Sequence, residues 1–297
     1  MTSTTVSNGR ARGVCFDDPK RFYELVRPAL ERQEIESSLL LGVARRLADD
    51  GGAAFMLALE ADEGVEAAAL RLKPHQLSIC CRDESAIERL VDAVLDTGEP
   101  VPAVIGLETF ATRFAERWIA RTGQILRPGL ALRLYTLTRV LPPFAPAPGR
   151  LRLASAQEED WLTDWHVAFA HEAGLPEVER NREHSQSMVR GRLAQARQFV
   201  WDDGGKAVAI LGFSPAGING ARIGGVMTAP TERRKGYASA AVAALSQNLL
   251  GSGRSWCGLF ADVANPQSNR IYRRLGYTEA CRFQSIGLAS SQDHDPA

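Results

Sequence analysis

The sequence predicts a mixed α/β protein built from two similar halves. Runs with strand periodicity alternate with helical patterns along the chain of 297 residues. The order of these predicted elements in residues 54–140 is repeated in residues 198–288. A proline-rich stretch, residues 142–149, separates the two and is typical of an extended, semi-rigid linker. We therefore expect two domains of ordinary size.

The predicted segments follow from these patterns and from the composition of the chain ends. Both ends are small and polar, without the apolar residues that a packed segment needs. The expected division is a disordered tail at 1–13, an N-terminal domain at 14–141, a linker at 142–149, a C-terminal domain at 150–289 and a second tail at 290–297.

Composition and charge argue against several classes of protein. The chain has 35 basic and 35 acidic residues, so no net charge favours a nucleic acid or an anionic membrane as a partner. No run approaches the roughly 18 apolar residues of a membrane span. The five cysteines are scattered and lack the spacing of a metal site. We expect a reduced, cytoplasmic protein without a metal, as a monomer or a homodimer.

The individual elements are predicted from periodicity and from helix-start signals. Asp18-Pro19 marks the start of a helix, and Ser155 with Glu158 forms a capping box. Asp203-Gly204-Gly205 predicts a hairpin turn. Strands are expected at 54–59, 65–72, 76–81, 101–105, 131–140, 150–153, 198–201, 207–213, 221–227, 257–263 and 283–288, with helices at 83–96, 107–121 and 266–275.

The chain is organised around a strand, a loop and a helix between Ile223 and Ala243. Pro230 ends the strand, and Gly236 allows a tight turn before a helix. The apolar face of that helix consists of Ala238, Ala241, Val242, Leu245 and Leu249. A helix start presents unpaired N–H groups and the positive end of the helix dipole to one point. With Arg233, Arg234 and Lys235 beside it, this loop is a candidate site for a diphosphate.

Two motifs in this half resemble those of the GCN5-related N-acetyltransferase (GNAT) superfamily. The spacing Arg233-x-x-Gly236-x-Ala238 is similar to its acyl-CoA pyrophosphate loop. Downstream, Asn265 opens a helix, Tyr272 lies one turn from its end, and Gly276-Tyr277 follows, as in the second signature of the family. The resemblance covers about residues 150–288. It implies two GNAT-like domains, each a mixed, mostly antiparallel sheet flanked by helices.

The resemblance also implies which residues bind acetyl-CoA, the expected co-substrate. The backbone of the strand before the loop pairs with the pantetheine arm, and one of its N–H groups faces the thioester carbonyl. The loop binds the diphosphate mainly through its backbone. The implied residues are Val226, Met227, Thr228, Arg233, Arg234, Lys235, Gly236, Tyr237, Ala238, Ser239, Asn265 and Asn269. For Asn265, an N-cap role is a sufficient alternative explanation.

Tyr272 and Glu172 are the candidate catalytic residues. In the family a Tyr hydroxyl meets the CoA sulfur, although a Tyr beside Ile271 and Leu275 is also compatible with a plain core position. The strand segment Gly224-Gly225-Val226 offers no carboxylate as a general base, which leaves Glu172 as a candidate. The nearby histidines, His166, His171 and His184, are expected at the surface, and Trp161 and Trp165 in the core.

The N-terminal half lacks the matching loop. Residues 80–85, Cys-Cys-Arg-Asp-Glu-Ser, contain no glycine and two carboxylates that would repel a phosphate. We interpret this half as a degenerate GNAT-like domain that binds no cofactor and either walls the substrate cleft or adds rigidity.

The predicted function is direct transfer of an acetyl group from acetyl-CoA to the primary amine of a small molecule. Two alternatives stay open. One is an acyltransferase that uses another acyl-CoA or acts on a protein N-terminus. The other is a non-catalytic module that senses acyl-CoA, which would bind the thioester without consuming it.

Overall fold

The computed structural model describes residues 5–8, 11–142 and 147–290. The chain divides into two compact units. Unit 1 comprises Met1–Ala131 and Cys281–Ala297, and unit 2 comprises Leu132–Ala280. Within the described residues, no helix is both long enough and apolar enough to cross a membrane.

Strands and helices alternate along both halves of the chain. The first half contains β1 (Thr5–Asn8), β2 (Ala11–Cys15), α1 (Pro19–Glu31), α2 (Glu34–Asp50), β3 (Phe55–Ala61), β4 (Gly64–Arg71), β5 (Leu77–Cys81), α3 (Ile87–Asp96), β6 (Ala103–Leu107), α4 (Glu108–Thr122), β7 (Ile125–Arg127) and β8 (Ala131–Leu137). The second half contains β9 (Arg150–Leu153), α5 (Glu159–Glu172), α6 (Glu177–Arg180), α7 (Arg182–Ala194), β10 (Gln198–Asp203), β11 (Lys206–Ala216), β12 (Gly220–Thr228), α8 (Tyr237–Gly251), β13 (Trp256–Asp262), α9 (Pro266–Arg274) and β14 (Thr278–Ala289).

Unit 1 is a mixed sheet with helices on both faces. Its strands follow the order β1-β2-β3-β4-β5-β6-β14, and only the β5–β6 pair is parallel. Side chains alternate between the faces of β3, so Met56 and Ala58 pack against α1 and α2. Leu57 and Leu59 point the other way and pack against α3 and α4. Because helices cover both faces of the sheet, this strand is apolar along most of its length.

The N-terminal segment differs from its prediction. Residues 1–13 are expected to be disordered, but the described part of this segment forms β1 and most of β2. β2 pairs antiparallel with β3, from Ala11 opposite Ala61 to Cys15 opposite Leu57. Backbone pairing with an existing strand edge does not require apolar side chains. The polar sequence of this segment therefore shows no pattern that predicts the strands.

Unit 2 has the same arrangement around its own core. Its strands follow the order β9-β10-β11-β12-β13-β8, and the β12–β13 pair is parallel while its neighbours are antiparallel. Helix α8 covers one face through Ala241, Val242 and Leu245, all inaccessible to solvent. Helices α5 and α7 cover the other face through Leu162 and Val189.

The two units do not coincide with the predicted domains 14–141 and 150–289. Strand β8 comes from the first half of the chain but pairs with β13 of unit 2. Strand β14 comes from the second half, and its residues from Cys281 onward belong to unit 1, where they pair with β6. The last strand of each half therefore completes the sheet of the other unit. Sequence order alone gives no sign of this exchange.

The predicted linker and C-terminal tail are only partly described. Residues 143–146 and 291–297 lie outside the described residues. At the end of the linker, the Trp201 indole N–H donates to the Pro148 carbonyl over 2.8 Å. This bond ties the entry of β9 to β10, its partner strand.

Candidate functional site

Strands β12 and β13 run side by side only at their beginnings. They pair from Gly220 opposite Trp256 to Ile223 opposite Leu259. Beyond that point β12 continues to Thr228 along β11, while β13 continues to Asp262 along β8. The two parallel neighbours therefore separate after Ile223, and one backbone edge of β12 is left without a partner strand in the part of the chain that the structure describes.

A bulge in β12 lies where the strands separate. The register against β11 shifts between Ile210 and Gly212, so that β12 carries one extra residue. Gly225 has φ +66°, a left-handed conformation that favours glycine. A Cβ at Gly225 would also lie 2.6 Å from Cε1 of His166, so no larger residue fits without a shift. Paired glycines inside a predicted strand are a known sign of a bulge, a signal that the sequence does contain.

The unpaired edge of β12 presents N–H groups from two of the three residues that the resemblance singles out. The Ala229 N–H donates to the Val208 carbonyl of β11 over 3.0 Å. Because successive peptide groups alternate in direction along a strand, the N–H groups of Val226 and Thr228 point away from β11. The N–H group of Met227 points towards β11, and the side chain of Met227 is buried.

The start of α8 has no side-chain cap. Its N-cap residue is Gly236, at φ +88°, and no side chain in the described ranges accepts from the first turn. Arg234 is one of the few non-glycine residues with positive φ, at +65°. The first-turn amides, including those of the half-buried Ala238 and Ser239, have no acceptor among the described residues. The predicted anion loop is thus a helix start whose N–H groups are available.

The loop cations are largely engaged within the protein. One guanidinium nitrogen of Arg233 contacts both carboxylate oxygens of Glu172, at 2.7 and 2.8 Å. Lys235 contacts Glu232 at 2.8 Å, and Lys206 contacts the same carboxylate at 2.5 Å. Hydrogen bonds from Lys206 first, and then from Lys235, lower the pKa of Glu232 to about 2. A dianion at this loop would therefore meet mainly backbone donors.

Arg234 and Tyr237 complete the loop in different ways. Arg234 is exposed and has no ion pair among the described residues. Tyr237 is buried, and its hydroxyl donates to Asp203 over 2.5 Å. Since that bond uses the side chain, Tyr237 can contribute only its backbone to a ligand. The bond fixes the start of α8 to the β10–β11 hairpin.

Glu172 lies at the C-terminal end of α5, exposed and paired with Arg233. The pair joins α5 to the loop, and Arg233 also donates from Nε to the Thr228 carbonyl over 3.2 Å. The structure thus brings Glu172 to the loop end of β12 and gives its carboxylate a cationic partner.

Asn265 and Asn269 position helix α9. Asn265 caps the helix, since its side-chain oxygen accepts from the Ser268 N–H over 3.0 Å. Asn269 is buried and donates to the carbonyls of Asp262 and Asn265, at 2.8 and 2.6 Å. Its oxygen accepts from the Tyr135 hydroxyl over 2.9 Å. Both amide protons of Asn269 are therefore used inside the protein.

Tyr272 is a buried residue of α9 with an unusual hydroxyl. Its ring lies 6.3 Å from that of Tyr135 and 6.0 Å from that of Tyr277, measured between centroids. Its hydroxyl makes no hydrogen bond with any described residue, whereas the Tyr277 hydroxyl bonds to Ser246 at 2.7 Å. Burial raises the pKa of Tyr272 to about 12. The phenol is thus a neutral donor that lacks an internal acceptor.

His166, one of the three histidines expected at the surface, is instead buried beside the bulge. Its Nε2 lies 3.2 Å from the side-chain oxygen of Gln198, whose nitrogen donates to the Leu211 carbonyl. Nε2 must then be the protonated nitrogen, which leaves the lone pair of Nδ1 beside Gly225. Sequence periodicity does not reveal this contact, because Gln198 is distant in the chain. His171 is exposed, as expected.

The fold resembles solved structures over nearly the whole chain. A GCN5-related N-acetyltransferase from Sphaerobacter thermophilus is 18% identical, with a TM-score of 0.61, over 95% of this chain and 96% of that one. A GNAT-family acetyltransferase from Colwellia psychrerythraea is 12% identical, with a TM-score of 0.56, over 98% and 100%. A tandem GNAT protein from the clavulanic acid biosynthesis pathway is 14% identical, with a TM-score of 0.56, over 96% and 100%.

The sequence itself matches the family model described as the Acetyltransferase (GNAT) family over residues 156–277. Comparison with curated proteins gave no match. Residues 156–277 therefore match the GNAT acetyltransferase family, which confirms the resemblance drawn from the two motifs. The predicted fold class, two GNAT-like domains with mixed sheets flanked by helices, is also confirmed.

Proposed function

We propose that unit 2 transfers an acetyl group from acetyl-CoA to the primary amine of a small molecule. The observation that supports this most directly is the combination of an unpaired strand edge at Val226–Thr228 with an uncapped helix start at Gly236. The first matches an extended amide-bearing arm, and the second matches a diphosphate. An acyl-CoA has both groups in one molecule.

The binding role of the chain is mostly that of its backbone. N–H groups of Arg234 to Ser239 would hold the diphosphate, and each charge-assisted bond contributes about 1.5–3 kcal/mol. The N–H groups of Val226 and Thr228 would hold the pantetheine arm and polarise the thioester carbonyl. We place Asn265 and Asn269 in a positioning role, since their side chains are bonded within α9 and to β13.

Tyr272 would serve the departing sulfur. With a pKa of about 12, its hydroxyl is protonated at neutral pH. Full transfer of that proton to a thiolate of pKa about 8.5 is uphill by about 5 kcal/mol, so a hydrogen bond to the sulfur is the favoured role. Acetyl-CoA supplies the activated acyl carbon, and the acceptor amine must be neutral to attack it.

Two side chains, Glu172 and His166, are candidates for removing the proton of the amine. Glu172 is the carboxylate at the loop end of β12, but both of its oxygens are already in contact with Arg233. His166 is neutral and lies at the bulge, and burial first, then Arg192, lowers its pKa to about 3. It can accept a hydrogen bond but would be a weak base. We therefore propose that solvent takes the proton, with Glu172 as an electrostatic aid.

Turnover tests the proposal against its alternatives. The purified protein is mixed with acetyl-CoA and a panel of small primary amines, and free thiol is measured over time. Thiol release that depends on the amine supports an acetyltransferase. Release only with longer acyl-CoAs, or only with peptides, would move the assignment to another acyltransferase. Tight CoA binding without release on any amine or peptide would indicate a sensor instead.

A further inference from the structure

Arg192 of α7 has an unusual environment beside the bulge of β12. Nη1 of its guanidinium is buried and has no hydrogen-bond partner among the described residues, while the residue as a whole is half-buried. Cβ positions built on Gly212 and Gly225 would lie 3.0 and 3.2 Å from that nitrogen. Because Gly212 and Gly225 have no side chains, the guanidinium can lie against the backbone of β11 and β12.

The charges around Arg192 are not those of an internal ion pair. The charged residue that most affects its pKa is Arg222, another cation, and no carboxylate contributes. Burial first, and then Arg222, lowers the pKa of Arg192 to about 10, so the group is still charged at neutral pH. A guanidinium nitrogen that is buried without a partner is costly, and such a donor points to a ligand, a water or a functional role.

A hydrogen-bond acceptor lies next to this cation. Nδ1 of His166, which holds a lone pair, is 3.1 Å from the same Cβ position on Gly225 that lies 3.2 Å from Nη1 of Arg192. The site thus combines one cationic donor with one neutral acceptor. Gly225 immediately precedes Val226, the first residue of the unpaired strand edge. If that edge binds the acyl arm, Arg192 lies at its reacting end rather than at the diphosphate end.

We propose that Arg192 binds a carboxylate of the acceptor, so that the acceptor is a small amine of amino-acid type, with His166 Nδ1 accepting from its N–H. The placement of Arg192 beside the acceptor rests on the proposed acetyl transfer. The preference of Arg192 for a carboxylate does not rest on it. A guanidinium matches a carboxylate through paired N–H donors, and a neutral imidazole adds a directional acceptor without repelling an ammonium.

The test compares acids with their amides on three proteins. Protein saturated with CoA is titrated calorimetrically with amino acids and with the corresponding α-carboxamides. For the natural sequence we expect the acids to bind at least tenfold more tightly. In Arg192→Gln that ratio should fall close to one, while Arg190→Gln, an exposed position on the same helix that pairs with Glu159, should retain it. Thermal unfolding should show that Arg192→Gln is no less stable, because it removes a guanidinium nitrogen that is buried without a partner.

Several results would overturn the assignment. One is the absence of a preference for acids over amides in the natural protein. Another is a ratio that Arg192→Gln leaves unchanged. A third is that Arg192 binds a carboxylate of the acyl chain and not of the acceptor. Succinyl-CoA would then bind more tightly than acetyl-CoA, and Arg192→Gln would abolish this difference. Thiol release is measured separately. Acid-selective binding without turnover would contradict the proposed function alone, and turnover without acid selectivity would contradict the role of Arg192 alone.

Discussion

The hydroxyl of Tyr272 is buried and has no acceptor among the described residues, so its removal should affect chemistry more than stability. In Tyr272→Phe we expect kcat to fall about tenfold, as suits the loss of one hydrogen bond to sulfur, and not the 10²–10⁴-fold of a lost general acid. Acetyl-CoA affinity should be unchanged, because the hydrogen bond forms to the departing sulfur and not to the thioester. The measurement is thiol release under saturating acetyl-CoA and amine.

The matched control for Tyr272 is Tyr277→Phe. Tyr277 is also buried, but its hydroxyl is bonded to Ser246. That variant should lose stability, by about 1 kcal/mol for one hydrogen bond, and retain kcat. If Tyr272→Phe turned over at the natural rate, Tyr272 would be a core residue with no catalytic part.

His166 predicts a pH dependence of stability. Burial holds its folded-state pKa near 3, below its ordinary value of 6.5. Between these values the unfolded state binds a proton that the folded state does not, so stability is lost as the pH falls from 6.5 towards 3. The slope from one such group is about 1.4 kcal/mol per pH unit.

Urea denaturation at a series of pH values measures this slope. His166→Gln should flatten the stability curve below pH 6.5, whereas His171→Gln, at an exposed position, should not. Equal slopes in the natural protein and in His166→Gln would show that the buried imidazole does not stay neutral.

At the scale of elements, Asn269 connects α9 to two strands. It donates to the Asp262 carbonyl of β13 and accepts from the Tyr135 hydroxyl of β8. Asn269→Ala should lower the free energy of unfolding by about 2–4 kcal/mol, since it leaves buried polar groups unpaired. In a double-mutant cycle with Tyr135→Phe, measured by denaturation, we expect a coupling energy near 1 kcal/mol. Additive effects would mean that this bond contributes nothing.

The elements that sequence predicts well are those defined by local chemistry. The capping box of Ser155 and Glu158 is present, and Gly236 adopts the left-handed conformation that its turn requires. Asn265 caps α9. Each of these depends on residues within a few positions of one another, and one sequence contains all of that information.

The parts that sequence misses depend on distant residues. Arg192 and His166 meet at the bulge from two different helices, so neither helix shows the contact in its own pattern. The pairing of β8 with β13 joins strands separated by most of unit 2. Strand patterns define which residues face a core, but they do not define which strand lies next to which.

At the scale of the whole molecule, the exchanged strands β8 and β14 affect how the chain can be divided. A fragment 150–289 contains the whole predicted C-terminal domain but lacks β8, and it would expose the edge of β13. We expect it to be poorly folded and aggregation-prone. A fragment 131–280, which includes β8, should be more soluble and should bind CoA. Circular dichroism and CoA titration of both fragments check this, and a stable, CoA-binding 150–289 fragment would contradict it.

Unit 1 should bind no acyl-CoA, because its equivalent turn is already capped. Asp83 accepts from the backbone N–H of Ser85 at 2.9 Å and from its hydroxyl at 2.5 Å. The hydrogen bond from Ser85 is the main cause of a lowered pKa at Asp83, so the carboxylate is charged where a phosphate would need donors. Unit 2 has an uncapped start at the corresponding helix.

Calorimetric titration of CoA tests the central claim, that unit 2 alone binds an acyl-CoA at the Gly236 loop. We expect one site per chain in the natural protein. Gly236→Asp should weaken binding at least tenfold, about 1.4 kcal/mol, because it adds negative charge beside the diphosphate. Gly236→Asn has the same shape without the charge and tolerates a positive φ, so it should weaken binding less. Two equivalent sites per chain, or unchanged affinity in a folded Gly236→Asp protein, would contradict the account.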